Sequence, residues 1–146
     1  MKAKAIIAAL VLAFTTLLSA QKETIDGIRN FTKVDVTFAC AGATDVAAIP
    51  ELAKRGYKAI INNRPDGEGG PQQPTSAQIE AEAQAHGMAY VHFPVHSMML
   101  SASQVQAYQE ACAHLPHPLV AFCKSGGRAS ALFQACDGQV GTAKRR

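Results

Sequence analysis

The sequence predicts a single-domain α/β sandwich built on a mostly parallel sheet. Three observations predict it. Short apolar runs alternate with helix-patterned runs from Val34 to Cys136. Glycine, proline and capping residues punctuate nearly every junction between them. The chain of 146 residues, 48% hydrophobic and 17% charged, is large enough for one ordinary core and too apolar for a disordered segment.

The elements are taken in chain order. Met1-Lys2-Ala3-Lys4 is a basic start, Ala5 to Leu18 is an apolar run, and Leu18-Ser19-Ala20 ends in a small residue. Residues 1–20 therefore read as a signal peptide cut before Gln21, which makes the protein an exported one. The apolar run is shorter than the ~18–20 residues a membrane span needs, so no stable insertion is expected after cleavage. Residues 21–33 form an N-terminal lead-in. Val34–Phe38 alternates as a first strand, and Cys40-Ala41-Gly42 makes a turn. Thr44 or Asp45 caps a helix over Val46–Arg55 that Gly56 ends. Tyr57–Asn62 is a buried strand, after which a polar loop rich in glycine and proline runs to Pro74.

Thr75 or Ser76 caps a second helix, Ala77–Ala85, closed by His86-Gly87. Met88–Phe93 is a third strand and Pro94–Leu100 a loop. Ser101 or Ser103 starts a third helix through His114. Pro116 and Pro118 separate it from the strand Leu119–Phe122, and a last helical pattern covers Ala129–Ala135. Residues 34–136 thus form the domain, and 137–146 a basic tail. In a parallel α/β sheet, ligands bind beyond the carboxyl ends of the strands. The loops Asn62–Gly70, Pro94–Leu100 and Cys123–Arg128 should therefore meet.

The last of these loops carries the chemistry. Cys123-Lys124-Ser125-Gly126-Gly127-Arg128 leaves an apolar strand, turns on two glycines and enters a helix. Backbone N–H groups of such a turn, aimed inward at a helix N-terminus, make an anion site. The same field, with Lys124 and Arg128 close by, lowers the pKa of Cys123 and favours its thiolate. A nucleophilic sulfur beneath an anion cradle means covalent chemistry on an anionic substrate. The bland reading, a buried cysteine at a strand end, does not explain the glycine-arginine turn behind it.

Charge and cysteine usage exclude other classes. The chain has 14 Lys+Arg against 11 Asp+Glu, but without Lys2 and Lys4 the balance is nearly even. Three of the remaining basic residues are the terminal Lys144-Arg145-Arg146, and no basic-aromatic stripe is present, so nucleic-acid binding has no support. The four cysteines, Cys40, Cys112, Cys123 and Cys136, match no zinc spacing. Neither a metal nor an organic cofactor is implied. Pairing all four would consume Cys123, so either a Cys112–Cys136 bridge or no bridge fits. Cys40 reads as a small buried thiol, or as a resolving thiol for modified Cys123.

Gly56-Tyr57-Lys58-Ala59-Ile60-Ile61-Asn62-Asn63-Arg64-Pro65-Asp66-Gly67-Glu68, Gln73-Pro74-Thr75, Tyr90-Val91-His92-Phe93-Pro94-Val95 and the cysteine loop appear in that order. On these motifs the chain resembles the phosphatase-like domain of bacterial β-lactamase-hydrolase-like proteins, over roughly Val34 to Phe133. The resemblance implies a dual-specificity-phosphatase-like fold, Cys123 as nucleophile and Arg128 as the anion-binding arginine. With the signal peptide read above, the expected location is the bacterial periplasm or the secreted fraction. The family carries two functional labels, phosphatase and sulfurtransferase. Two departures stand out: Phe122 replaces the family's common histidine before the cysteine, and the segment after Phe133 is short or replaced.

Between the two labels, the residues favour sulfur transfer. Cys123 and Arg128 enclose four residues, the spacing of a rhodanese loop, where protein tyrosine phosphatases have five. The loop His92 to Leu100 holds no carboxylate to protonate a leaving alkoxide. His96 and Asp66 are the candidate acids; Glu68 beside Asp66 either shares that work or shapes the loop. Thiosulfate expels sulfite without an acid, and a thiol acceptor then takes the sulfur from a Cys123 persulfide. The expected function is therefore transfer of sulfur from a small anionic or persulfide substrate. Phosphatase action through a phosphocysteine is the alternative, and a non-catalytic anion- or partner-binding module the third reading. Arg64 is expected to line the site as a second anion contact, along with Lys124, Ser125, Gly126 and Gly127. Its competing role is a structural pair with Asp66 or Glu68.

Overall fold

A computed structural model describes residues 19–140, with side chains through Cys136. Six strands form one sheet: β1 (Gln21–Lys22), β2 (Thr32–Lys33), β3 (Phe38–Ala41), β4 (Ala59–Asn62), β5 (Ala89–His92) and β6 (Leu119–Phe122). The helices are α1 (Ile49–Lys54), α2 (Ser76–Ala85), α3 (Ala102–His114) and α4 (Gly127–Val140). The strand order is β1-β2-β3-β6-β4-β5. The four strands from β3 to β5 in that order run parallel, as expected, while β1 and β2 add an antiparallel edge.

Side-chain alternation splits the core in two. Ala39, Ala41, Ile60, Val120 and Phe122 face one side and pack with Ile49, Leu52, Ile79 and Ala83 of α1 and α2. Phe38, Cys40, Ile61, Leu119 and Ala121 face the other, with Tyr108 and Cys112 of α3 and Ala129 and Leu132 of α4. Since consecutive residues of a strand point to opposite faces, runs buried on both sides, such as Leu119–Phe122, read as continuously apolar.

Several boundaries differ from the sequence-based expectation. The lead-in supplies the sheet edge. The first strand sits later than Val34–Phe38, because Asp35 Oδ1 accepts from the Thr37 N–H at 2.6 Å, the Thr37 hydroxyl at 2.7 Å and the Phe38 N–H at 2.9 Å. That local side-chain turn bends the chain where a ladder would have run. Cys40 and Ala41 therefore belong to β3 and not to a turn. The first helix is short. A 3₁₀ turn covers Val46–Ala48, and Pro50 keeps the α-helix from starting before Ile49, since proline fits only the first turn. Neither Thr44 nor Asp45 caps it through its side chain; the Thr44 hydroxyl donates to the Gly42 carbonyl.

Thr75 caps α2 and Ser101 caps α3, each in a reciprocal pair with a glutamine three residues on, Gln78 and Gln104. Helix α4 begins at Gly127 and runs through Val140, past the start assigned to the basic tail. All but the last two residues of the expected signal peptide, and residues 141–146 of the tail, lie outside the described residues. Cys112 and Cys136 are joined in a disulfide that ties α3 to α4, leaving Cys40 and Cys123 free.

Candidate active site

The site forms where the central strand ends. β6 lies between β3 and β4, so its carboxyl end is walled by both neighbours. The Cys123 N–H donates to the Ala41 carbonyl at 3.1 Å, and the Asn63 N–H donates to the Phe122 carbonyl at 2.8 Å, which carries the ladder one residue further on each side. The turn beyond Cys123 is held against β3: the Ala43 N–H donates to Lys124 O and the Asn30 side chain donates to Ser125 O, both at 3.0 Å. Gly42 makes this approach possible, since a Cβ there would come within 3.0–3.1 Å of the Arg29 and Lys124 carbonyl oxygens.

Inside the turn, backbone N–H groups converge on the sulfur. The Gly126 N–H points at Cys123 Sγ at 3.1 Å. Gly126 has φ +98°, a backbone state that favours glycine, and this state turns its N–H inward. Burial is the largest single influence on the Cys123 thiol and raises its pKa. The N–H groups of Ala129, Gly126, Ser125 and Arg128 together outweigh it, and the net pKa lies below the ordinary thiol value. Gly127 spends its N–H on the Ser125 hydroxyl instead, at 3.4 Å. The other free thiol behaves in the opposite way: burial pushes Cys40 up to about 11, with the Ser130 hydrogen bond opposing it.

Arg128, on the first turn of α4, is held at both ends. Its Nη1 donates to the Val95 carbonyl at 2.6 Å and its Nη2 pairs with Glu68 Oε1 at 2.7 Å. The other Glu68 oxygen pairs with Arg64 Nε at 3.0 Å. Burial presses the Glu68 carboxyl upward, but hydrogen bonds from Arg128 and Arg64 hold it below the usual carboxylate range. Glu68 is thus an ionised bridge between two guanidinium groups.

The loop that presents it is locked. Gln73 accepts from the Gly69 N–H at 2.6 Å and donates to the Pro65 carbonyl at 2.7 Å. A side chain at Gly69 would run into the Arg64 guanidinium. Asn62 accepts from the Arg64 N–H at 2.9 Å and donates to the Tyr90 hydroxyl at 3.0 Å, while His92 Nε2 donates to the Arg64 carbonyl at 2.9 Å. Asn63 donates from its amide to the Phe93 carbonyl at 3.1 Å.

The three expected loops meet, and Cys123, Arg128 and the Ser125 and Gly126 amides come together as the sequence predicts. Arg64 reaches the site through Glu68, in the paired role, with its side chain largely buried. Lys124 is exposed and has no side-chain hydrogen bond or ion pair among the described residues. Asp66 is occupied elsewhere: its carboxylate accepts from the Ser76 N–H at 2.7 Å at the start of α2. His96 is exposed, next to the Val95 that anchors Arg128. Glu68 as the clamp on both arginines, and Asn62 and Asn63 as the braces of the loop, emerge only in three dimensions. Among the described residues, no group of three His, Cys, Asp or Glu side chains is placed to hold a metal ion.

Fold and site together define a phosphatase-like α/β domain with a cysteine at the foot of a cradle of backbone N–H groups. The chain belongs to the family described as the phosphatase-like domain of β-lactamase hydrolase-like proteins, whose model matches residues 30–140. It is 36% identical over 111 residues to the β-lactamase hydrolase-like protein of Agrobacterium fabrum, covering 74% of this chain and 26% of that protein. The protein of the same name from Xylella fastidiosa is 35% identical over 112 residues, 77% of this chain and 26% of its own. The chain therefore spans about a quarter of these curated relatives.

Among solved structures, a "putative phosphatase" of Neisseria meningitidis Z2491 is 29% identical with a TM-score of 0.63, covering 69% of this chain and 71% of that one. A Shewanella putrefaciens CN-32 protein described in the same words shares the fold at TM-score 0.66 and 22% identity, over 80% and 72% of the two chains. Pseudomonas aeruginosa TpbA, solved in complex with pTyr, shares it at TM-score 0.52 and 12% identity, over 77% and 62%. These findings favour the phosphatase alternative over the sulfur transfer expected from the loop spacing.

Proposed function

We propose that the chain is a cysteine-dependent phosphatase acting on small phosphomonoesters. One observation carries the reading: four backbone N–H groups converge on a depressed-pKa thiol, beside an arginine fixed by Glu68 and the Val95 carbonyl. The phosphoryl oxygens sit on those N–H groups and on Arg128, which concentrate positive potential where charge develops. Cys123 Sγ attacks phosphorus, and the P–O ester bond breaks as the S–P bond forms. His96 gives its proton to the departing oxygen, since Glu68 is ion-paired and Asp66 is held by the Ser76 N–H. Water then attacks the phosphocysteine, His96 accepts a proton, and inorganic phosphate leaves the regenerated thiolate. Lys124, exposed on the rim, attracts the dianion without fixing it.

Sulfur transfer is the second reading, and a specific observation favours it: the loop encloses four residues and both nearby carboxylates are committed, so an acid-free reaction suits the site. The test pairs two measurements on the purified chain and on Cys123→Ser. Cys123-dependent hydrolysis of an aryl phosphate with a trapped phosphocysteine supports the phosphatase. A gain of one sulfur atom from thiosulfate, lost on thiol treatment and absent in the mutant, replaces it with sulfur transfer to a thiol acceptor. Neither result, on folded protein, leaves the anion- or partner-binding module. Export to the periplasm is part of the same proposal, tested by finding Gln21 as the mature N-terminus in a periplasmic or secreted fraction.

A further inference from the structure

Helix α4 has a second use for the face that carries Arg128. Arg128, Ala131, Leu132 and Ala135 recur at helical spacing and share one stripe. Two of these four residues are alanines, which fill little of the space between α4, Val105 of α3 and the loop after β5. The result is a cavity of about 250 Å³ whose apolar wall is made by Met98, Leu100, Val105, Leu132 and Ala135. Among the described residues, Arg128 is its one charged lining residue and Ser97 its neutral polar one. Val95 and Ser97 both line it, while His96, between them in the chain, is exposed and does not. Met98, 60% exposed, and its neighbour Met99, 88% exposed, form a flexible apolar lip near the opening.

We infer that this cavity receives the leaving group of the substrate, and that the substrate is a phosphomonoester of an apolar alcohol or phenol. This rests on the phosphatase reading of the same site. Arg128 is shared by the anion cradle and the cavity, so an ester held on the guanidinium has its organic part directed toward the Met98-Leu132 wall. The oxygen joining the two then lies between the guanidinium and that apolar wall. The size fits as well: an apolar cavity of roughly 150 Å³ accepts a benzene ring, and this one has room for a ring with a small branched substituent. Sugar and nucleoside phosphates would leave their hydroxyls facing aliphatic side chains without partners, a costly arrangement.

The experiment compares kcat/KM for phenyl phosphate, 4-tert-butylphenyl phosphate and glycerol phosphate on the full chain. Phenol and 4-tert-butylphenol are nearly equal in acidity, so a difference between their esters reports binding and not leaving-group chemistry. The expected preference for the tert-butyl ester is about tenfold or more, with glycerol phosphate the poorest of the three. Ala131→Trp, which puts bulk at the exposed edge of the cavity-lining stripe, should bring the preference to one or below. Met98→Ser, which removes wall and adds no bulk, should lower it several-fold. Turnover with no apolar preference, or a preference that both variants keep, overturns the cavity while the phosphatase stands. If no ester turns over, the phosphatase reading falls. Protection of Cys123 from alkylation by 4-tert-butylphenylphosphonate then decides whether the cavity binds its ligand. Tenfold better protection than methylphosphonate gives retains the cavity, and equal protection removes it.

Discussion

At the scale of single residues, the site is an arrangement of charge around one sulfur. Cys123 is buried, which opposes ionisation, yet four N–H groups reverse the sign. A lowered thiol pKa means the thiolate persists to lower pH, so its reaction rate climbs through that depressed value and is flat above it. Iodoacetamide alkylation of Cys123 should therefore reach half its maximal rate below the ~8.5 of a free thiol. Cys40, held near 11 by burial, should stay unmodified at neutral pH. Similar half-points for the two thiols would sink the cradle argument.

Glu68 is the second residue on which the proposed chemistry depends. Its pKa is depressed, so both ion pairs are intact at neutral pH, and their stabilisation is fully present above the unfolded carboxylate value of ~4.3. That stabilisation is lost as pH falls through the lower folded value. Glu68→Gln should leave Arg128 without its orienting charge. The concentration of inorganic phosphate that half-protects Cys123 from alkylation is expected to rise on the order of tenfold. An unchanged half-protection value would make the bridge a purely structural contact.

At the scale of elements, the cradle depends on backbone state more than on side chains. Gly126 sits at φ +98°, close to Ala41 and Gly42 of the neighbouring strand end. Gly126→Ala puts a Cβ into a disfavoured state at a cost of ~1–3 kcal/mol. The turn should relax and aim its N–H away from the sulfur. Alkylation at different pH values is the readout, and the Cys123 half-point should move up toward the ordinary thiol range. Helices α2 and α3 and the cysteine loop were legible in sequence because local chemistry writes them: Thr75 with Gln78, Ser101 with Gln104, and the glycines of the loop. The first strand was misplaced because the Asp35 turn competes with pairing in a way apolar alternation does not show. Residues 21–22 and 32–33 gave no strand signal, since two-residue strands gain their order only from the edge they join.

At the scale of the molecule, one covalent link joins the helix behind the cradle to the helix beside it. Cys112 and Cys136 close a loop of 24 residues between α3 and α4. In the chain-entropy account a loop of that size is worth about 3 kcal/mol. The double variant Cys112→Ala/Cys136→Ala should lose about that much in urea unfolding without reductant. A loss below ~0.5 kcal/mol would show that packing of Tyr108, Leu132 and Phe38 alone fixes α4.

The sequence by itself determined the alternating α/β order, the parallel core of the sheet and the position of the cysteine loop at the carboxyl ends of its strands. Each of these is written in short-range pattern: apolar runs, caps, and a cysteine with glycines and an arginine after it. Tertiary structure alone decided that β6 falls between β3 and β4, and that Glu68 joins Arg64 to Arg128. It also decided that Asp66 is spent on α2, and that Cys112 pairs with Cys136. Those outcomes join residues far apart in the chain, as Glu68 and Arg128 are, or Phe38 of β3 and Leu119 of β6. Ion pairs, bridges and strand order depend on distances between elements, and those distances are set by how the two layers of helices pack on the sheet.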